Sequence, residues 1–214
     1  MAVVTQLLDA GRSEQGMVLA EDRARAGVYG LLASLFYSPP TAQFLRDVFA
    51  EDIFDDGVPE TRFVSAWRSL RDAMRTADPA AIQQEYDDNF IGTGRPPVFL
   101  YASHYLSGSV QRTPLNELRE ELAQLGITLK RTSFETEDHI SALCDVMRFL
   151  IVGEETAPPA LLEAQRDFFM RHIAPSYAPL CSAIVEAGGT DFYKKVARFA
   201  GEFFSLELQS FDIA

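Results

Sequence analysis

The sequence predicts an all-α protein, a single-domain helical bundle of about nine helices around one core. Three observations predict it. Apolar residues recur at three- and four-residue spacing through one segment after another. No segment alternates with period two, and no Asn-Gly or Asp-Gly turn lies between strand-like runs. Helix starts and stops such as Asp78-Pro79, Thr113-Pro114 and Gly188-Gly189 punctuate the periodic runs. A chain of 214 residues with 47% hydrophobic composition has enough apolar surface for one substantial core.

In chain order, residues 1–16 lack periodicity and read as a flexible N-terminal tail, leaving 17–214 as the helical domain. A helix over about Met17 to Tyr37 puts Val28, Leu31, Leu32, Leu35 and Phe36 on one face, and Ser38-Pro39-Pro40 ends it. Arg25 and Tyr29, four apart, meet beside that face, either as a functional pair or as an arginine stem lying on a packed ring. A short helix over about 41–50 leads to the acidic turn Asp55-Asp56-Gly57-Val58-Pro59. The next, over about 60–75, turns Phe63, Val64, Trp67, Leu70 and Met74 inward, with Trp67 as a core residue.

Asp78-Pro79 opens a helix to about Phe90 with Ile82, Tyr86 and Phe90 on one face. Gly92-Thr93-Gly94-Arg95-Pro96-Pro97 then breaks it, and the aromatic stretch Val98 to Leu106 follows, carrying Tyr101, Ser103 and His104. A helix from Thr113-Pro114 closes at Gly126. Helices over about 160–173, 176–187 and 191–208 complete the chain, with Pro175 read as a break between the first two.

The remaining segment is central. A helix over about Glu135 to Val152 buries Ile140, Leu143, Cys144, Met147 and Ile151, with Thr132 or Ser133 as its cap. Its acidic first turn is what the helix dipole favours. On such a helix Glu135 and His139 share a face, and Asp138 lies about 100° round from His139. The cluster reads either as a solvated helix start or as a functional group.

A net charge of -12 argues against non-specific binding to nucleic acids or anionic membranes, both of which need a basic face. No apolar run is long enough to span a bilayer, and Met1 to Leu8 lacks a basic n-region. The two cysteines, Cys144 and Cys181, lie in apolar segments without CxxC spacing. A cytoplasmic location is expected. The three histidines are scattered and HExxH, GxSxG and a P-loop are absent, so no metal, cofactor or catalytic residue is assigned.

Four stretches together resemble a known family. They are Arg25-x-x-x-Tyr29-x-x-Leu32-x-x-Leu35-Phe36 before Pro39-Pro40; Tyr86-x-x-x-Phe90-x-Gly92-x-Gly94 with Tyr101-x-Ser103-x-Tyr105; Glu135-x-x-Asp138-His139-Ile140; and His172-x-x-Pro175 with Phe192-Tyr193. In order and spacing, over roughly residues 20–208, they resemble the TorD-like chaperones for molybdenum redox enzymes, the redox enzyme maturation proteins. Thr136, Ala102 and Ser176 stand where that family usually has proline, glutamate and tryptophan.

The resemblance implies a non-enzymatic cytoplasmic chaperone. Its partners would be an apo-molybdoenzyme precursor and its twin-arginine signal peptide, with the molybdopterin cofactor-synthesis machinery as a further partner, and neither nucleic acid nor membrane insertion. An acidic groove with an aromatic floor complements an arginine pair followed by an apolar stretch. The site residues expected on this basis are Asp138 and Glu135 for the arginines, His139, Tyr101 and Ser103 for orienting hydrogen bonds, and Tyr86 and Phe90 for the apolar part. The alternatives are a small metal-dependent or acid–base enzyme using Glu135, Asp138 and His139, an all-α ligand-binding regulator, and nucleotide or molybdopterin binding at the Gly92–Gly94 loop.

Overall fold

The computed structural model describes residues 19–50, 59–92, 95–106, 114–128, 135–154, 157–189 and 191–213, and it is helical, with no strand among them. The expected tail over 1–16, the turn 55–58, Thr93 and Gly94, Thr113, and the caps Thr132 and Ser133 lie outside the described residues. The helices are α1 (Ala20–Tyr37), α2 (Ala42–Ala50), α3 (Arg62–Thr76), α4 (Pro79–Tyr86), α5 (Ala102–Tyr105), α6 (Pro114–Gln124), α7 (Ile140–Val152), α8 (Leu162–Phe168), α9 (Ala174–Glu186) and α10 (Asp191–Ile213).

The centre is the pair α1 and α7, which pack along their lengths. Helix α7 turns Leu143, Cys144, Met147, Leu150 and Ile151 inward, and Leu32, Leu35 and Phe36 of α1 are fully buried. Helix α10 lies against α3 and α9. Its Phe199 ring stacks on Phe63 at 5.2 Å and meets Trp67 at 5.4 Å, so the single tryptophan is a core residue as expected. Such aromatic contacts add to the area they bury. Both cysteines are free and buried; burial pushes the Cys144 thiol well up and that of Cys181 up to about 12.

Three element boundaries differ from the sequence reading. The chain does not break at Pro175: a π-helical turn, Phe169–Ile173, joins α8 directly to α9, with the Ala174 N–H reaching the Phe169 carbonyl. Proline has no N–H to give, and it sits in the first turn of α9, where that donor has no helical partner anyway. A second π-turn, Asp87–Ile91, completes the helix that the sequence reading carried to about Phe90, so that end agrees. Helix α10 runs on to Ile213 because Phe211 continues its apolar stripe into the core beside Phe169.

The third boundary matters most. Helix α7 begins at Ile140, not Glu135, and its N-cap is His139, whose Nδ1 accepts the Ser141 N–H at 3.3 Å. The segment 135–139 is a turn that pairs with the chain before α5. Ala102 N–H donates to the Asp138 carbonyl at 2.9 Å and Ile140 N–H to the Leu100 carbonyl at 2.8 Å, forming an isolated antiparallel bridge between Tyr101 and His139. The Ile140 N–H and the Asp138 carbonyl, a donor and an acceptor that a longer helix would have used internally, are spent on this long-range pairing.

Candidate functional site

The bridge assembles what the sequence distributes. Tyr101 and His139 face each other, ring edge to ring face, with centroids 5.1 Å apart at 80°. The Tyr101 hydroxyl donates to Glu135 Oε2. Ser103 N–H, in the first turn of α5, donates to Asp138 Oδ2 at 3.3 Å, so the aspartate caps a helix in a distant part of the chain. The other oxygen, Asp138 Oδ1, accepts the Thr136 hydroxyl, a bond that a proline at 136 could not supply. Glu137 turns outward to Arg119 of α6 at 2.8 Å, and that arginine holds its carboxyl below the usual range.

Five of the expected residues, Tyr101, Ser103, Glu135, Asp138 and His139, therefore form one cluster, though not on one helix face. Its members differ in access. Asp138 and His139 are buried at 4% and 3% exposure, whereas Glu135, Tyr101 and Ser103 are half-buried at the rim. Burial lowers the pKa of His139 although Glu135 and Asp138 oppose it, so the imidazole is held neutral. Burial, with the Glu135 carboxylate beside it, pushes the Tyr101 phenol well above its ordinary value and keeps it a donor.

Tyr86 and Phe90 lie beneath the surface. Their rings pack on each other at 5.1 Å and on Tyr193 of α10 at 5.5 and 5.0 Å. The Tyr86 hydroxyl sits 3.1 and 3.0 Å from the carbonyls of Phe36 and Tyr37, tying α4 to the end of α1. Burial pushes the Tyr86 phenol well above its ordinary value, and the negative charge of Glu135 adds to this.

Sequence reasoning missed Glu207. Arg25 places a fork on it, Nε to Oε1 at 2.8 Å and Nη2 to Oε2 at 2.9 Å, and the Tyr29 hydroxyl adds a third bond at 3.0 Å. The signal was present: Glu207 is an acid set between Phe203, Phe204 and Phe211 on the buried stripe of α10. It also missed Glu85, which caps α10 by accepting the N–H groups of Phe192 and Tyr193 at 3.0 and 2.6 Å. Arg25 and Tyr29 thus serve the architecture.

Among the described residues no group of three His, Cys, Asp or Glu side chains is arranged to hold a metal ion. The lone pair of His139 Nδ1 is taken by the Ser141 amide, which leaves little of the acid–base chemistry the enzyme alternative needs. No helix among the described residues is long and apolar enough to cross a membrane.

The helical arrangement is that of the redox enzyme maturation proteins. A structure of one such protein from Archaeoglobus fulgidus superposes with a TM-score of 0.53 at 20% identity, over 92% of this chain and 98% of that one. A family profile, the nitrate reductase delta subunit, matches residues 60–182, and the chain belongs to that family. Chaperone proteins TorD are similar over nearly the whole length. The one from Vibrio cholerae is 26% identical over 207 residues, covering 88% of this chain and 92% of its own. The one from Aliivibrio salmonicida is 27% identical over 208 residues, covering 89% and 95%. The protein is a maturation chaperone of the TorD-like type and not an enzyme.

Proposed function

We propose that this chaperone works in the cytoplasm, binding the twin-arginine signal peptide of a molybdopterin-containing oxidoreductase and holding the apo-enzyme until its cofactor is inserted. The observation that carries the reading is the pair Glu135 and Asp138, brought beside the Tyr101 ring by the bridge to His139. Arginine pairs are matched by carboxylates in fixed geometry, and partial exclusion of water strengthens such bonds. Tyr101, Ser103 and His139 orient the acidic groups, while Tyr86 and Phe90 support the apolar part of the site from below. The overall charge of -12 steers a basic segment toward the protein. Cofactor-synthesis proteins are further partners while the client is held.

Co-purification tests this reading. The tagged chaperone, recovered from its native cells grown without oxygen, retains a molybdoenzyme precursor that mass spectrometry identifies. Changing the precursor's arginine pair to alanine reduces its recovery. Undiminished recovery of the altered precursor would argue that the signal peptide is not what is bound.

A further inference from the structure

We infer that Arg119 of α6 is an internal stand-in for a peptide arginine: it occupies Glu137 of the acidic turn in the free chain, and an arriving arginine takes its place. This rests on the reading that the turn receives an arginine-bearing peptide, and it adds to that site a carboxylate the sequence reading passed over. The Arg119 guanidinium closes on one oxygen of Glu137, Oε2, with Nε at 2.9 Å and Nη2 at 2.8 Å. A planar fork on a carboxylate is the contact a peptide arginine would seek here. The hydrogen bond to Glu137 raises the Arg119 pKa, and the charges of Glu137 and then Asp138 add to this, so both acids act on the guanidinium. Glu135, Glu137 and Asp138 place three acids within four residues, and Arg119 offsets one of those charges while no peptide is bound.

The pair is placed for exchange. The Asp138 side chain is buried and bonded to the Thr136 hydroxyl and the Ser103 amide, so displacing its partners would loosen α5. The Glu137 side chain is 27% exposed and that of Arg119 49%. Ion pairs open to water are held weakly, and one guanidinium replaces another there without a buried group losing its partner. The bridge itself is untouched, since its bonds run between Ala102 and the Asp138 carbonyl and between Ile140 and the Leu100 carbonyl.

Helix α6 keeps its place when Arg119 lets go. Leu118 and Leu122 are buried, and Glu121 Oε2 meets Arg171 Nη1 and His172 Nε2 at 2.8 Å each. These contacts fix the helix to the core and to the π-turn before α9, so the exchange is a movement of one side chain. Arg119 therefore competes with the peptide for Glu137, and removing it strengthens binding.

The test is fluorescence anisotropy of a labelled synthetic peptide, an arginine pair followed by an apolar stretch, against the full chain, with circular dichroism following the fold of each variant. Arg119→Gln is expected to bind the peptide about threefold more tightly with a nearly unchanged melting midpoint, a gain that a merely structural arginine would not give. Glu137→Gln is expected to bind it about threefold more weakly. Adding Arg119→Gln to Glu137→Gln is expected to bring no further gain, because the contested carboxylate is already gone.

Unchanged or weaker binding by Arg119→Gln, while the unaltered chain binds the peptide, overturns the inference and leaves the peptide-binding reading standing. A gain that persists in the double variant also overturns it, since the arginine then acts only through its charge and not through Glu137. Absence of binding by both the unaltered chain and Arg119→Gln counts against the peptide-binding reading itself, and the inference falls with it.

Discussion

Tyr101 and His139 are the two halves of one antiparallel bridge, and the phenol ring stands edge-on to a buried imidazole 5.1 Å away. This contact brings the aromatic stretch after the Gly- and Pro-rich loop onto the acidic turn before α7. His139 is buried at this junction, and burial governs its titration. The ring is buried and its pKa is lowered, chiefly by desolvation, so it is neutral in the folded protein.

A pH dependence of stability follows. In the unfolded chain His139 returns to about 6.5, so the unfolded state binds more protons at any pH between that value and the lowered one. The contribution is fully present above about pH 6.5 and is lost as the pH falls toward the folded value, by at most about 1.4 kcal/mol per pH unit. Urea unfolding across this range should show the decline in the unaltered chain and a flatter profile in His139→Gln. Equal slopes in the two proteins would remove His139 as the source.

Asp138→Ala is expected to cost about 1–3 kcal/mol, because it leaves the Ser103 amide and the Thr136 hydroxyl without their acceptor. The denaturant midpoint measures the loss. Hydrogen exchange should show it concentrated in α5 and the 135–139 turn, since those are the parts the carboxylate joins.

At the other end of α1, Glu207→Ala is expected to cost about 1–3 kcal/mol, since it takes both fork acceptors from the half-buried Arg25, which keeps Asp22 at 3.0 Å, and leaves the buried Tyr29 hydroxyl without its acceptor. Arg25 and Tyr37 are twelve residues apart on α1, about 18 Å along its axis, so peptide affinity should hold in any variant that stays folded. Thermal melting and a peptide titration together separate the two effects.

Gly153→Ala tests the end of α7. Gly153 has φ of 67°, and a Cβ there would lie 2.3 Å from the Ala157 carbonyl oxygen and 2.8 Å from the Pro158 carbonyl carbon. Backbone strain and the clash together are expected to lower stability by about 2 kcal/mol or more, read from a denaturant midpoint.

Much of the architecture was legible because it is local. The buried faces of α1, α3 and α7 follow from three- and four-residue spacing, and Asp78 caps α4 through the Ala80 amide as its cap-and-proline pair predicted. The start of α7 was not legible. Glu135, Glu137 and Asp138 look like ordinary first-turn acids, and only the distant Leu100 carbonyl, which takes the Ile140 N–H, shows that the helix starts later. The membership of the cluster could be read from residue types, but the division between a buried Asp138 and a rim Glu135 depends on that pairing. Pro175 misled for a related reason: proline breaks a regular ladder, yet a π-turn just before it carries the chain into α9.

The central claim is that the cluster recognises an arginine pair. Titration calorimetry of the full chain tests it most directly, using a synthetic signal peptide and its lysine-pair counterpart. The account predicts saturable binding of the arginine peptide and clearly weaker binding of the lysine peptide, since only guanidinium offers a planar fork to a carboxylate. Equal binding of the two peptides, or no binding of either, would contradict it.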